Sequence, residues 1–178
     1  MCMKTVLSNE KVSLRALEPV DIDVVLQWEN NTSLWQFGST VAPMSRKILW
    51  DYIENYNPDI YASNQLRLMI DDANSGTTVG MVDFYDFDHH NRRCGIGILI
   101  GQEFQNSGYG TNAVEVVCDY AGKFLGLHQL WAVVPVDNVF SIKLFQKNKF
   151  HVCGRMRSWL RRNNHYADAF IMQMLVGN

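Results

Sequence analysis

A single mixed α/β (α+β) domain over residues 1–178 is what this sequence predicts, and three observations carry that expectation. Strand-like runs of period-two alternation trade places with helix-like runs of period 3.6 along the chain. A glycine turn, Gln105-Asn106-Ser107-Gly108-Tyr109-Gly110, joins an apolar strand-like run to an amphipathic helix-like run. No internal repeat, low-complexity tract or linker interrupts the 178 residues, a length that buries one substantial core.

Val12 to Leu17 alternates apolar and polar residues as a strand does, and Glu18-Pro19 breaks it ahead of a helix over Val20–Glu29. A polar, aromatic stretch covers Asn30 to Pro43, where Trp35 and Phe37 either line a pocket or pin the loop to the core. Ser45 is placed as the N-cap of a second helix reaching Tyr56. Gln65–Ile70 and Thr78–Phe87 read as a hairpin across the turn residues Asn74-Ser75-Gly76. After a turn at Asp88–Asn91, Arg92–Gly101 is a strand whose Gly95 and Gly97 leave one face bare enough for backbone to approach. From Gly108 to Leu125 apolar residues recur at helical spacing, with Gly126 as the C-cap. Leu130–Val134 is a short buried strand ended by Pro135, and Asn138–Asn148 is helical in period. Two last strands, Val152–Leu160 and Tyr166–Val176, flank the polar turn Arg161–Asn164.

Sixteen Lys and Arg stand against eighteen Asp and Glu, for a net charge of −2, and no basic run offers to neutralise a phosphate backbone, so nucleic acid is excluded as a partner. No apolar run approaches the ~20 residues that cross a bilayer, and Met1-Cys2-Met3-Lys4 leads into polar residues without a signal-peptide core. The expectation is a cytoplasmic protein with no membrane partner. Cys2, Cys94, Cys118 and Cys153 form no CxxC pair and read as reduced thiols. His89-His90 sits in an Asp- and Asn-rich turn without further ligands at metal spacing, so no metal is expected.

A short glycine-containing turn at a helix start exposes backbone N–H groups where the helix dipole favours negative charge, and a diphosphate suits it. Neither the Walker pattern G-x-x-x-x-G-K-[ST] nor the Rossmann fingerprint is present. Alone, Q-x-x-G-x-G is a weak signal that a structural turn explains equally well. A second block follows the strand LWAVV: Asn138-Val139-Phe140-Ser141-Ile142-Lys143-Leu144-Phe145, closing at Lys149-Phe150. Strand, Q-x-x-G-x-G, helix, strand, then N-x-x-S-x-x-L-[aromatic] resembles the GNAT superfamily of acetyl-CoA-dependent N-acetyltransferases, nearest its ribosomal-protein-alanine and spermidine (diamine) branches.

The resemblance covers nearly the whole chain and implies a mixed central sheet of about six or seven strands with one splayed pair, flanked by about four helices. It implies an acetyl-CoA-dependent N-acetyltransferase whose acceptor is a small amine, a polyamine or a peptide N-terminus, attacking directly in a ternary complex once the ammonium has released a proton. A catalytically weak CoA-binding sensor is the alternative, and a homodimer is the implied assembly. Ile98, Leu99 and Ile100 are then the strand that pairs with the pantetheine arm. The amides of Gln105, Asn106, Ser107, Gly108, Tyr109, Gly110 and Thr111 cradle the pyrophosphate, and Asn138, Ser141 and Phe145 complete the cofactor site. Two departures from the family pattern bear on catalysis. Relatives carry a glutamate where this chain has Gly95, leaving Glu29 and Asp83 as candidate bases. Many carry a tyrosine acid where this chain has Phe145, leaving Ser141 as a hydrogen-bond donor to the thiolate.

Overall fold

Period-two alternation sets Leu66, Leu68 and Ile70 on one side of a strand and Met69 on the other; all four are buried, so something covers both faces. The computed structural model, which describes residues 5–37, 40–162 and 164–177, shows what does. Seven strands form one sheet in the order β1-β2-β3-β4-β5-β7-β6. They are β1 (Val12–Ala16), β2 (Leu66–Asp72), β3 (Thr78–Asp88), β4 (Arg93–Ile100), β5 (Gln129–Pro135), β6 (His151–Arg162) and β7 (His165–Leu175). Every neighbouring pair is antiparallel except β4 and β5, which run parallel.

The parallel pair needs a crossover, and α5 (Tyr109–Asp119) makes it. Its Ala113, Val114 and Val117 pack with Leu68, Ile70, Val82, Phe84, Ile96 and Leu130 on one face of the sheet. On the other face α1 (Ile22–Glu29) and α3 (Arg46–Glu54) bring Val25, Trp28, Leu49 and Ile53 onto Met69 and Met81, with Leu99 alongside. Between them lies the single-turn α2 (Thr32–Trp35), and after α3 comes α4 (Ile60–Ser63); α6 (Val139–Lys147) follows β5. These two four-residue helices join the four expected from periodicity, being too short to show a period. Side-chain caps start them instead, Asn31 accepting from Ser33 N–H and Asp59 from Tyr61 N–H. Ser45 caps α3 as expected, accepting from Ile48 N–H.

Two boundaries move for physical reasons. The helix expected from Val20 opens as a 3-10 turn over Pro19–Asp21, because Asp21 turns inward to accept from the Glu18 amide and from both terminal nitrogens of Arg15, at 2.7 Å each. The helix expected to reach Leu125 changes to a π-turn over Tyr120–Phe124, where Leu125 N–H bonds the Tyr120 carbonyl at 3.0 Å. There the chain's end comes close: a Cβ on Gly122 would lie 2.4 Å from the Val176 carbonyl oxygen. Gly126 follows with φ of 65°, the left-handed C-cap the sequence suggested.

Cys94 and Cys118 are buried free thiols and Cys153 is an exposed one. Cys2, Gly38, Ser39 and Asn163, which fall in segments read from the sequence above, lie outside the described residues. No helix among the described residues is long and apolar enough to cross a membrane. Among the same residues no group of three or more His, Cys, Asp or Glu is placed to hold a metal ion.

Candidate active site

Pairing between β4 and β5 stops early. The ladder holds Arg93↔Gln129, Cys94↔Leu130 and Gly95↔Trp131 and then ends, although β4 continues to Ile100 and β5 to Pro135. On its other side β4 remains paired with β3 as far as Gly80↔Ile100. The strands therefore fork after Gly95, and Ile98, Leu99 and Ile100 present one backbone edge to the gap. An unpaired edge of this kind accepts an extended, amide-bearing guest as an added strand.

The glycine turn lies past the open end of β4. Gln105 is extended with ψ of 159°, Asn106 and Gly108 take left-handed φ of 60° and 86°, and α5 starts at Tyr109. A side chain at Gly108 would strain that conformation; at Gly110 a Cβ would instead meet Leu144 Cδ1 at 3.3 Å, so the turn is held tight against α6. The first bond into the helix is from Asn112 N–H to the Gly108 carbonyl at 3.2 Å, which leaves the amides of Tyr109, Gly110 and Thr111 ahead of any intrahelical acceptor. Gln105 Nε2 donates back to the Ile100 carbonyl at 3.1 Å and ties the turn to the strand end. Free amides, a positive dipole end and exposed Asn106 and Ser107 suit a diphosphate.

Across the fork, Asn138 caps α6 by accepting from Ser141 N–H at 3.1 Å. The Ser141 side chain is half-buried on the first turn of that helix. Phe145 is only 3% exposed and packs edge-on to Phe150 with ring centroids 5.0 Å apart. Its ring belongs to the core, and its place in a cofactor site rests on the resemblance alone.

The two candidate bases, Glu29 and Asp83, are brought together by a residue the sequence reading did not single out. Arg67, on β2, donates through Nε and Nη2 to both oxygens of Asp83 at 2.7 and 2.9 Å, and through Nη1 to Glu29 at 3.0 Å. Burial works against the Arg67 charge, but the hydrogen bonds and charge of Asp83 outweigh it and hold the guanidinium firmly protonated. Thr40 adds a hydroxyl donor to Glu29 at 3.2 Å. Both oxygens of Asp83 and both of Glu29 are thus engaged, so neither carboxylate stands idle as a base. Two carboxylates on one guanidinium leave one negative charge uncompensated.

Gly95 is where the sequence expectation needs correcting. The group that exploits its bareness is not backbone but the ring of Tyr85: a Cβ on Gly95 would lie 2.4 Å from Tyr85 Cε2. Tyr85 stands edge-on to Trp131 with centroids 5.0 Å apart, so its ring spans from β3 over β4 to β5 at the closed end of the fork. Burial pushes its phenol up to about 12, with the Val133 backbone amide acting in the opposite sense. On the same face a concavity of about 550 Å³ is lined by Asp86, Asp88, Arg93, Gln129, Trp131 and Ile171. Trp35, for its part, donates Nε1–H to the Glu29 carbonyl at 2.7 Å and pins its loop to α1. For Arg67 and Tyr85 the available signal was their alternation on β2 and β3, which sets Arg67, Asp83 and Tyr85 on one face.

Comparison with known proteins identifies the family. The model of the family described as Acetyltransferase (GNAT) domain matches residues 11–151. The chain is 28% identical over 165 residues to the spermidine N(1)-acetyltransferase of Escherichia coli K12, covering 93% of this chain and 86% of that one. It superimposes with a TM-score of 0.82 and 26% identity on the crystal structure of spermidine N-acetyltransferase from Vibrio cholerae in complex with CoA and spermine, covering 94% of this chain and 96% of the other.

Proposed function

The chain belongs to the GNAT acetyltransferase domain family, and from that premise we propose that its acceptor is a small polycationic amine of the spermidine and spermine type. The protein is an acetyl-CoA-dependent N-acetyltransferase: the amine nitrogen attacks the thioester carbonyl carbon, the carbon–sulfur bond breaks, and an amide and free CoA result. Acetyl-CoA supplies an activated acetyl group on a thiol of pKa ~8.5, a tolerable leaving group at neutral pH.

The observation that carries the acceptor class is the run of carboxylates along one face beside the fork. Glu29 and Asp83 share Arg67 and leave a net negative charge. Asp86 lines the neighbouring concavity with the indole of Trp131, while Asp88 there is paired with Arg93 at 3.0 Å and adds no net charge. A cation approaching the fork meets negative charge, and a second cationic nitrogen on the same substrate meets carboxylate and aromatic face. A monoamine or a peptide N-terminus uses only part of this surface. The relatives named for spermidine support the same reading.

In this reading the amides of residues 106–111 hold the diphosphate, the Gln105 amide expected among them being given instead to the Gln102 carbonyl at 3.4 Å; Ile98, Leu99 and Ile100 pair with the pantetheine arm, Asn138 bonds the arm while capping α6, and Ser141 donates to the leaving sulfur. Glu29 and Asp83, tied to Arg67, draw the amine in rather than strip its proton. The test is acetyl-CoA consumption measured with spermidine, spermine, diamines, amino acids and N-terminal peptides. Polyamines are expected to give the highest kcat/KM; preference for peptides or amino acids would overturn the acceptor assignment.

A further inference from the structure

Every residue assigned so far leaves the closed end of the fork to Tyr85, and its position there is specific. Glycine at 95 is required by its ring, since any Cβ would lie 2.4 Å from Cε2, and Gly97 keeps the next position on that face open, with a Cβ there 3.9 Å from Tyr85 Cε1. Trp131 holds the ring from the far strand. The amide acting on the phenolic oxygen is that of Val133, on the stretch of β5 beyond the last rung at Gly95↔Trp131. A tyrosine hydroxyl has one hydrogen to give as well as lone pairs to accept with. Among the described residues that hydrogen has no protein acceptor.

The cofactor here is placed as proposed above. A diphosphate held at residues 106–111 lies beyond the Ile100 end of β4, so an arm paired along Ile100, Leu99 and Ile98 carries its thioester toward Gly95 and the apex. We propose that Tyr85 donates a hydrogen bond to the carbonyl oxygen of the bound acetyl thioester, stabilising the negative charge that oxygen gains as the amine attacks. A phenol raised to about 12 keeps its proton beside a thiol of ~8.5, so it acts as a fixed donor and no proton changes hands. In this chain a donor reaching over from β3 and a glycine on β4 form one device: the ring needs the missing Cβ, and the hydroxyl needs the ring.

Tyr85→Phe separates the hydroxyl from the wedge, because phenylalanine still fills the space over Gly95 and against Trp131. The variant is expected to lose roughly 100-fold in kcat, with an unchanged KM for acetyl-CoA and an unchanged Tm. The second readout does not depend on turnover. Acetonyl-CoA, a ketone analogue that cannot transfer its acyl group, is bound with a ¹³C label at the carbonyl. Its resonance is expected to move downfield in the wild type and to lose that displacement in Tyr85→Phe. Equal kcat in the two proteins, equal carbonyl resonances, or a joint loss of kcat, CoA affinity and Tm would each overturn the assignment, the last by reducing Tyr85 to a prop. If the wild type binds neither CoA nor the analogue, it is the cofactor reading that fails.

Discussion

Tyr109, the first residue of α5, donates its phenolic hydrogen to Asp72 Oδ2 at 2.8 Å, so the turn between β2 and β3 is tied to the helix that follows the glycine turn. Asp72 is held down to about 2, first by the Ser75 amide and then by Tyr109. Its folded value lies below the unfolded ~3.9, so its contribution to stability is complete above that value and is lost as pH falls toward 2. Tyr109→Phe is expected to be less stable than the wild type at neutral pH, with the gap in Tm narrowing between about pH 4 and pH 2. A gap that widens on acidification would contradict the link.

Gly108 takes φ of 86° at the point where the turn enters α5. Gly108→Val is expected to cost about 1–2 kcal/mol of stability from the left-handed backbone. It should also weaken CoA binding at least tenfold by calorimetry, because the amides after it shift. Gly110→Ala is the milder change, since its Cβ meets the flexible side-chain ends of Leu144 and Ile100.

Phe145→Tyr would put back the residue that many relatives carry, yet here it buries a hydroxyl beside Phe150 in a site 3% exposed. It is expected to lower stability by about 1–3 kcal/mol and not to raise kcat. Ser141→Ala should slow the chemical step more than Phe145→Tyr does, read by single-turnover kinetics. Equal rates for Ser141→Ala and wild type would remove Ser141 from the mechanism.

Arg67→Met leaves Glu29, 12% exposed, facing Asp83 without a counter-charge. The expected loss is about 3–5 kcal/mol by denaturant unfolding. Arg67→Lys should recover only part of it, because one ammonium cannot reproduce the two parallel bonds to Asp83.

The order of strands and long helices was legible because each buries one patterned face: β2 and β3 show it with Leu68 and Val82 on one side and Met69 and Met81 on the other. The glycine turn was legible for a different reason, since Gly108 serves a backbone conformation that other residues resist. Arg67 was not legible. Its importance comes from Glu29, 38 positions away, and Asp83, 16 away, and no local pattern announces a meeting across three elements. Gly95 stood out in the sequence, but only the pairing register shows that Tyr85 occupies the space it vacates.

Among the described residues the ladder joining β1 through β4 to β5 through β7 has three rungs, from Arg93↔Gln129 to Gly95↔Trp131. A ligand lying in the gap adds rungs made of something other than polypeptide and braces a seam the chain leaves half-sewn. Heat tolerance then follows metabolite supply: at a hundred times its dissociation constant such a brace adds about 2.7 kcal/mol.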